Sequence, residues 1–227
     1  AVLIGGPAGV GKSRLLQESE LQAKLAEIAF GMGQCRAEGL APLAPLTQAL
    51  RSLVPLTPPE LTEQVGPLLG RMVPLLATPG PLPTFKDAGA EKIATFGALT
   101  EWLQALAHRH TFVLCFEDLQ WADAATLEVL NVIIRALHET RGMVVGSYRS
   151  DALSRLSLAF QTVDEGLSQR MDLAPLTAAH VETLVQLAVL LWKRVPGLVG
   201  RILDGQIGAI RAQLDEAKQL RAEAEKL

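Results

Sequence analysis

The stretch Gly6-Pro7-Ala8-Gly9-Val10-Gly11-Lys12-Ser13 decides the fold of this chain. It follows the apolar run Val2-Leu3-Ile4 and precedes leucines at helical spacing, so it joins a strand to a helix. Its spacing matches the pattern G-x-x-x-x-G-K-[ST], in which glycines let consecutive backbone N–H groups curl around an anion. The positive end of the following helix faces the same point. The stretch therefore predicts a loop that binds the phosphates of a nucleotide.

Two side chains of this loop add chemistry to that of the backbone. Lys12 is expected to reach the β- and γ-phosphates, and the Ser13 hydroxyl is expected to occupy one coordination position of Mg²⁺. A nucleoside triphosphate with its Mg²⁺ is thus the predicted ligand. The expected nucleotide-binding residues are Gly6, Pro7, Ala8, Gly9, Val10, Gly11, Lys12, Ser13 and Arg14.

A second part of such a site is predicted where an apolar run ends in two acids. Residues 112–116 are continuously apolar, as is typical of a strand covered on both faces, and Glu117 and Asp118 follow. We expect Glu117 to hold the metal shell and Asp118 to orient or polarise the attacking water. Arg149 follows the apolar run 142–146 and would lie beside the terminal phosphate if that strand neighbours the first. The predicted catalytic residues are therefore Asp118, Glu117 and Arg149.

Strand and helix signals alternate along the first 190 residues. The proline-rich segment 37–90 carries helical patches and is interpreted as an irregular excursion rather than a second core. Alternation of this kind predicts an α/β fold, a parallel sheet flanked by helices. The predicted strands are 1–5, 28–34, 112–116, 142–146 and 171–173, and the predicted helices are 12–26, 46–53, 60–76, 91–107, 124–138, 153–168 and one beginning at Ala178.

The chain changes character between residues 190 and 200. From Leu203 to Leu227 the apolar residues mostly follow three-and-four spacing on a charged background, and glycine and proline are absent after Gly208. This pattern predicts a long amphipathic helix that needs a partner for its narrow apolar stripe. We therefore expect a nucleotide-binding domain over 1–190 and a coiled-coil-like extension over 191–227 that binds a protein partner or a second copy.

Composition limits the possible classes of protein. The 227 residues are 49% hydrophobic and 20% charged with a net charge of -3, so no basic field predicts direct contact with nucleic acid or an anionic membrane. Cys35 and Cys115 cannot form a disulfide framework, which favours a cytoplasmic location. The apolar stretch 184–192 is about half of a membrane span, so no span is expected. The chain opens on Ala1 without an initiator Met, and we expect it to begin inside its first strand.

Residues 1–188 resemble the AAA-type, signal-transduction (STAND) ATPase domains of bacterial multidomain regulators. The resemblance implies a five-stranded P-loop sheet of the ASCE type, ATP or ADP with Mg²⁺ as ligands, and Arg149 as the sensor residue. It also implies slow ATP hydrolysis that acts as a nucleotide switch in a signalling or transcription regulator. The chain differs from the family at Glu117, where aspartate is usual, and at Gln120, where histidine is common. The stretches that carry the resemblance are 6–16, 33–39, 45–51, 112–123, 146–149 and 173–177.

Residues 191–227 are similar to a different family, subunit b of F-type ATP synthase. The similarity is carried by the runs 191–198 and 210–218, which match the point where that subunit enters its peripheral stalk. It implies an alternative function, a structural stalk or interaction segment in which the tail has the main role. The two families are not normally joined, which indicates a chimeric chain. Nucleotide binding by the chain distinguishes the two hypotheses.

Overall fold

The computed structural model describes residues 1–37, 41–80, 83–155 and 165–177, together with positions 182 and 186. Within these residues a five-stranded sheet is flanked by five α-helices. The strands are β1 (Val2–Gly5), β2 (Ala29–Gln34), β3 (Phe112–Glu117), β4 (Gly142–Ser147) and β5 (Gln169–Asp172). The helices are α1 (Lys12–Leu25), α2 (Ala44–Leu50), α3 (Pro59–Leu69), α4 (Ala88–Arg109) and α5 (Ala124–Ala136), and 3-10 turns lie at Arg51–Leu56, Pro74–Leu76, Leu119–Trp121 and Ser150–Arg155.

The sheet is parallel throughout, with the strand order β2-β3-β4-β1-β5. Strand β1 pairs with β4, placing Ile4 opposite Ser147, and with β5, placing Gly5 opposite Asp172. Strand β4 therefore lies between β1 and β3, which brings the carboxyl ends of these three strands side by side at one edge. This arrangement confirms the predicted fold class, a P-loop α/β sheet flanked by helices.

The main hydrophobic core lies on one face of the sheet and includes residues of α2, α3, α4 and α5. Helix α2 packs so closely on β2 that a Cβ atom added at Gly31 or Gly33 would lie 2.1 Å from a backbone carbonyl oxygen of the helix. The described residues of segment 37–90 are therefore part of this core. They form no second core, as expected, but the interpretation of the segment as an irregular excursion is wrong. Its prolines mislead because several of them begin helices, as Pro45 and Pro59 do, where a missing N–H costs nothing. Its fully buried side chains include Leu46, Leu50, Leu53, Leu69, Val73 and Leu76.

A smaller cluster on the other face joins α1 to the sheet through Leu16, Ile4 and Cys115. The sequence predicts α1 from a series of leucines, but Leu16 is the buried one, whereas Leu25 is 72% exposed. Helix α4 shows a similar exception, because Ile93 of its predicted apolar stripe is 76% exposed. Helical spacing thus locates both helices correctly but overstates how much of each apolar face is covered within the described residues.

The chain divides into two compact units, Ala1–Pro175 and Leu176–Leu227. The predicted extension 191–227 lies outside the described residues, and the predicted domain boundary at 190 stays a prediction. Among the helices that the structure describes, none has the length and apolarity to cross a membrane.

Two other predicted helices fall partly outside the described residues. The predicted helix 153–168 includes positions 156–164, which are not described, and residues 165–168 form a turn and a bend rather than a helix end. The helix predicted to begin at Ala178 is described at positions 182 and 186 only, and both are helical.

Candidate functional site

The loop between β1 and α1 has the backbone shape that its glycines predict. Gly9 and Gly11 have φ angles of 77° and 107°, a left-handed region that side chains disfavour. Gly11 is the N-cap of α1, and no side chain caps that end of the helix. The first backbone N–H groups of an α-helix have no intrahelical partner, so the loop and the helix end together offer N–H groups to an anion.

Lys12 places a positive charge at the base of this loop. Its side chain is 7% exposed, and its Nζ donates hydrogen bonds to the carbonyl oxygens of Gly6 and Pro7, both at 2.9 Å. A buried ammonium group is stable only with such partners. The loop therefore holds the cation that the sequence assigns to the terminal phosphates.

Asp118 lies just beyond β3 in a left-handed conformation, with φ 59° and ψ 48°, which few residues other than glycine, asparagine and aspartate adopt readily. Its backbone N–H donates to Oγ of Ser147 at 3.1 Å, and its Oδ1 accepts a hydrogen bond from Nε2 of Gln120 at 2.9 Å. These contacts fix the Asp118 carboxylate relative to the end of β4.

Arg149 follows β4, and the backbone on either side of it is bonded to the first strand and its loop. Tyr148 N–H donates to the carbonyl of Ile4 at 3.0 Å, and Ser150 N–H donates to the carbonyl of Gly6 at 3.4 Å. The sequence predicts that Arg149 lies beside the terminal phosphate if β4 neighbours β1, and these two strands are neighbours. Its guanidinium group binds the Asp151 carboxylate through two hydrogen bonds, Nε to Oδ1 at 3.1 Å and Nη2 to Oδ2 at 2.7 Å. The hydrogen bond from Arg149 lowers the pKa of Asp151.

An open cleft of about 400 Å³ brings most of these side chains together. Asp118 and Arg149 line it together with residues of the loop. Of the predicted loop residues, Gly6, Pro7 and Val10 are not among the described lining residues. The described residues that line the cleft are Ala8, Gly9, Gly11, Lys12, Ser13, Arg14, Asp118, Gln120, Trp121 and Arg149.

Glu117 is the predicted site residue that does not line the cleft, among the lining residues that the structure describes. It is the last residue of β3, and side chains alternate between the faces of a strand, so it shares a face with Cys115. Burial raises the pKa of the Cys115 thiol to about 12, and the charges of Glu117 and of Glu20 on α1 add to that rise. Glu117 therefore lies on the face that α1 covers, the helix that carries Ser13, and its role toward the metal stays a prediction.

The loop after Asp118 ends on the N-cap of α5. The Asp123 carboxylate accepts the Thr126 N–H at 2.8 Å and the Thr126 hydroxyl at 2.7 Å. Burial raises the pKa of Asp123, but the hydrogen bonds from Thr126 and from the backbone of Leu43 outweigh it, and the net pKa is lowered. The loop from Asp118 to Asp123 is thus held by hydrogen bonds at both ends.

Sequence reasoning missed two residues of the cleft, Gln120 and Trp121. Gln120 is 6% exposed, and besides its bond to Asp118 its Oε1 accepts the backbone N–H of Arg149 at 3.1 Å. In the sequence it stands out only because it differs from the family pattern, which does not reveal a bridge between two loops. Trp121 is 42% exposed, and the sequence alone does not distinguish an exposed tryptophan from a packed one.

Comparisons with known proteins give matches to two different families. A family model described as "AAA ATPase domain" matches residues 1–145. Part of the chain is similar to ATP synthase subunit b of Erythrobacter litoralis (strain HTCC2594), with 58% identity over 55 residues, 24% of this chain and 29% of that protein. Subunit b of Rhizorhabdus wittichii is 35% identical over 106 residues, 47% of this chain and 43% of that protein. The chain thus spans less than half the length of these curated relatives.

Among solved structures, the ORC1 protein of Aeropyrum pernix in complex with DNA is similar with a TM-score of 0.39 and 17% sequence identity. The match covers 82% of this chain and 42% of that one.

Proposed function

This chain belongs to the AAA ATPase domain family, and we propose that its cleft binds Mg·ATP and hydrolyses it slowly. One observation carries the proposal: the glycine loop, the Asp118 carboxylate and the Arg149 guanidinium group line the same cleft. Slow turnover would let the bound nucleotide, ATP or ADP, act as a switch within a larger signalling or transcription regulator.

The residues present fit a magnesium nucleotide. The left-handed glycines and the uncapped start of α1 supply backbone N–H groups for phosphate oxygens. The Ser13 hydroxyl and the Glu117 carboxylate are oxygen donors, the type that Mg²⁺ prefers. When bound, the metal would neutralise charge on the phosphate oxygens.

The protein's own groups have distinct tasks in the proposed reaction. A water oxygen bonds to the γ-phosphorus, and the bond from that phosphorus to the oxygen bridging to the β-phosphate breaks, which releases ADP and phosphate. The Asp118 carboxylate orients the water and accepts its hydrogen bond. Lys12 and Arg149 stabilise the charge that develops on the phosphoryl oxygens.

The first test replaces Lys12 with alanine. The ammonium makes charge-assisted hydrogen bonds to the phosphates in this proposal, so Lys12→Ala should weaken Mg·ATP binding by at least ~1.5 kcal/mol, roughly tenfold in Kd. Isothermal titration calorimetry measures the change. The matched control is Lys24→Ala, since Lys24 lies on the same helix, pairs with Glu20 at 2.7 Å, and is absent from the residues described as lining the cleft. Equal affinity of Lys12→Ala and the parent chain would refute the proposed site.

A second candidate function is a stalk or interaction segment. The observation that favours it is the 58% identity to a subunit b over 55 residues. In that case the chain would associate through its apolar stripe with a protein partner or a second copy, independently of nucleotide. A chain that binds no Mg·ATP yet self-associates would favour this function over the first.

A further inference from the structure

Gln120 is a buried polar side chain in the cleft to which the proposed reaction gives no task. It lies in the 3-10 turn Leu119–Trp121, between the acidic residue that follows β3 and the loop that follows β4. Its amide is buried, and both ends of the amide are bonded. Burial of an amide is favourable only if its hydrogen bonds are made, so the environment of Gln120 strongly favours this one arrangement.

The chemistry of the two partners determines which way the amide points. The Asp118 carboxylate can only accept a hydrogen bond, and the Arg149 backbone N–H can only donate one. Gln120 must therefore turn its NH₂ group toward Asp118 and its oxygen toward Arg149, as it does at 2.9 Å and 3.1 Å. A side chain that only donates or only accepts cannot satisfy both partners.

Gln120 cross-links the residues that follow β3 to those that follow β4. A second hydrogen bond lies nearby, from the Asp118 N–H to Oγ of Ser147, which is fully buried at the end of β4. The serine bond fixes the backbone of Asp118, whereas the glutamine bond fixes the carboxylate itself. Loss of the amide would leave the loop in place but free the carboxylate to rotate about its side-chain torsions.

We propose that Gln120 is a positioning residue that orients the Asp118 carboxylate and holds the Arg149 backbone, so that the two groups act on the nucleotide as one unit. The inference rests on the proposed ATPase function. Gln120 accelerates turnover through Asp118 and contributes little to the binding of Mg·ATP, since the phosphates are held by the loop and Lys12.

The experiment compares three variants of the full chain for Mg·ATP affinity by calorimetry and for phosphate release at pH 8. Gln120→Leu keeps the approximate size of the side chain and removes both hydrogen bonds. Gln120→His restores a group that donates and accepts, because a neutral imidazole does both above its ordinary pKa of about 6.5. Gln104→Leu is the control, because Gln104 also bonds through its amide, to the carbonyl of Ala136 at 3.3 Å, and is not among the described residues of the cleft.

We expect Gln120→Leu to lower kcat by roughly 10- to 100-fold, the range found when a group that orients a functional ligand is removed. The Kd for Mg·ATP should stay within about twofold of the parent value, which separates positioning from binding. Gln120→His should regain a large part of the lost kcat, and Gln104→Leu should match the parent in both measurements.

Each other outcome overturns the inference. If the parent chain hydrolyses ATP and Gln120→Leu has the same kcat, Gln120 does not position the reacting groups, and the proposed function stands without it. If Gln120→Leu loses affinity as much as turnover, or if Gln120→His regains nothing, the residue supports the fold alone. A parent chain that binds no Mg·ATP or releases no phosphate overturns the proposed function and this inference together.

Discussion

At the scale of single residues, two of the cations that line the cleft, Lys12 and Arg149, are already bonded to oxygen atoms of the protein. Lys12 donates to two backbone carbonyls, and Arg149 binds the Asp151 carboxylate with its guanidinium fork. A phosphate that binds the cleft competes with these partners for the two cations. The carbonyls of the loop are neutral, whereas Asp151 carries a full charge, so the competition at Arg149 has the larger electrostatic component.

A first prediction follows for Asp151. Asp151→Asn removes the charge that competes with phosphate for Arg149, so Mg·ATP affinity should rise roughly two- to fivefold, in keeping with the modest strength of exposed ion pairs. The hydrogen bond from Arg149 lowers the pKa of Asp151, so the carboxylate stays ionised down through its ordinary range. The gain should therefore be the same at about pH 8 and at about pH 5, because the ion pair is lost only below the lowered pKa.

Calorimetric titration at both pH values measures this gain. The control is Glu128→Gln, which removes the ion pair between Glu128 and Lys92 and leaves the cleft unchanged. No gain, or a gain in the control as well, would mean that Asp151 does not compete for Arg149.

The two neighbouring acids should give different phenotypes. Asp118→Asn keeps the size of a side chain that lines the cleft but removes the charge that orients water, so Mg·ATP binding should persist while turnover falls by at least ~100-fold. Glu117→Gln should instead raise the Mg²⁺ concentration required for binding and activity, because a neutral amide is a weaker magnesium ligand. Magnesium titrations of phosphate release compare the two, and matching profiles would show that the roles are misassigned.

At the scale of secondary-structure elements, the sequence predicts all five described strands to within a few residues. An apolar run locates β3 well because this strand lies between two others and most of its residues are buried, which leaves no polar alternation to confuse the pattern. Segment 37–90 could not be predicted as core, because the sequence does not show that its prolines begin helices. The pairing of β1 with β5 could not be predicted either, since a strand exposed along its whole length, as β5 is, has no buried face to mark it.

Some residues of the candidate site could be predicted from the sequence, and others could not. Sequence spacing predicts the loop and its lysine because that motif is local, and the nearness of Arg149 follows once β4 and β1 are neighbours. The task of Gln120 could not be predicted, because its partners belong to two loops that meet only in the folded chain. The same reason applies to the face on which Glu117 lies, which depends on the register of β3 within the sheet.

A prediction at this scale concerns the thiols of neighbouring strand segments. Burial raises the pKa of both Cys35 and Cys115 to about 12, so both stay protonated in the folded chain while the unfolded chain ionises near its ordinary thiol pKa. The folded state then binds more protons than the unfolded state. The contribution of the two thiols to stability is therefore fully present below about pH 9 and is lost as the pH rises toward 12. Between pH 8 and pH 10 each thiol should lower the free energy of unfolding by about 1.4 kcal/mol.

Urea denaturation at both pH values measures this loss. Cys115→Ala should lose about 1.4 kcal/mol less than the parent chain over that interval, since one of the two thiols is gone. Other titrating groups affect both proteins alike and cancel in the difference. Equal losses in the parent and the variant would contradict the protonation state assigned to Cys115.

At the scale of the whole molecule, every described residue that lines the cleft belongs to the unit Ala1–Pro175. The sequence of residues 191–227 has its own pattern, a narrow apolar stripe with charges on every turn. Such a stripe suits the seam of a coiled coil better than the surface of a sheet. We therefore propose that nucleotide binding and association are properties of different parts of the chain.

Truncation tests this division. A chain ending after Leu190 should bind Mg·ATP with nearly the affinity of the parent chain, as measured by calorimetry. A separate peptide of residues 191–227 should gain helicity with concentration in circular dichroism, because its stripe needs a partner. Loss of nucleotide binding on truncation would show that the extension is required by the ATPase domain. A peptide whose helicity ignores concentration would show that the stripe is not a seam.

The position of β1 between β4 and β5 has a consequence for the order in which the chain can assemble. In the sheet Val2 lies opposite Val145 on one side and Gln169 on the other, so both neighbours of β1 come from a distant part of the chain. Closing so long a loop is slow, because its entropy is lost before the contacts are gained. During synthesis on a ribosome, β1 therefore emerges long before β4 and β5, and it pairs with its neighbours late. In the proposed function, bound nucleotide stabilises the chain only once β1, β3 and β4 are paired, because residues that follow all three strands line the cleft.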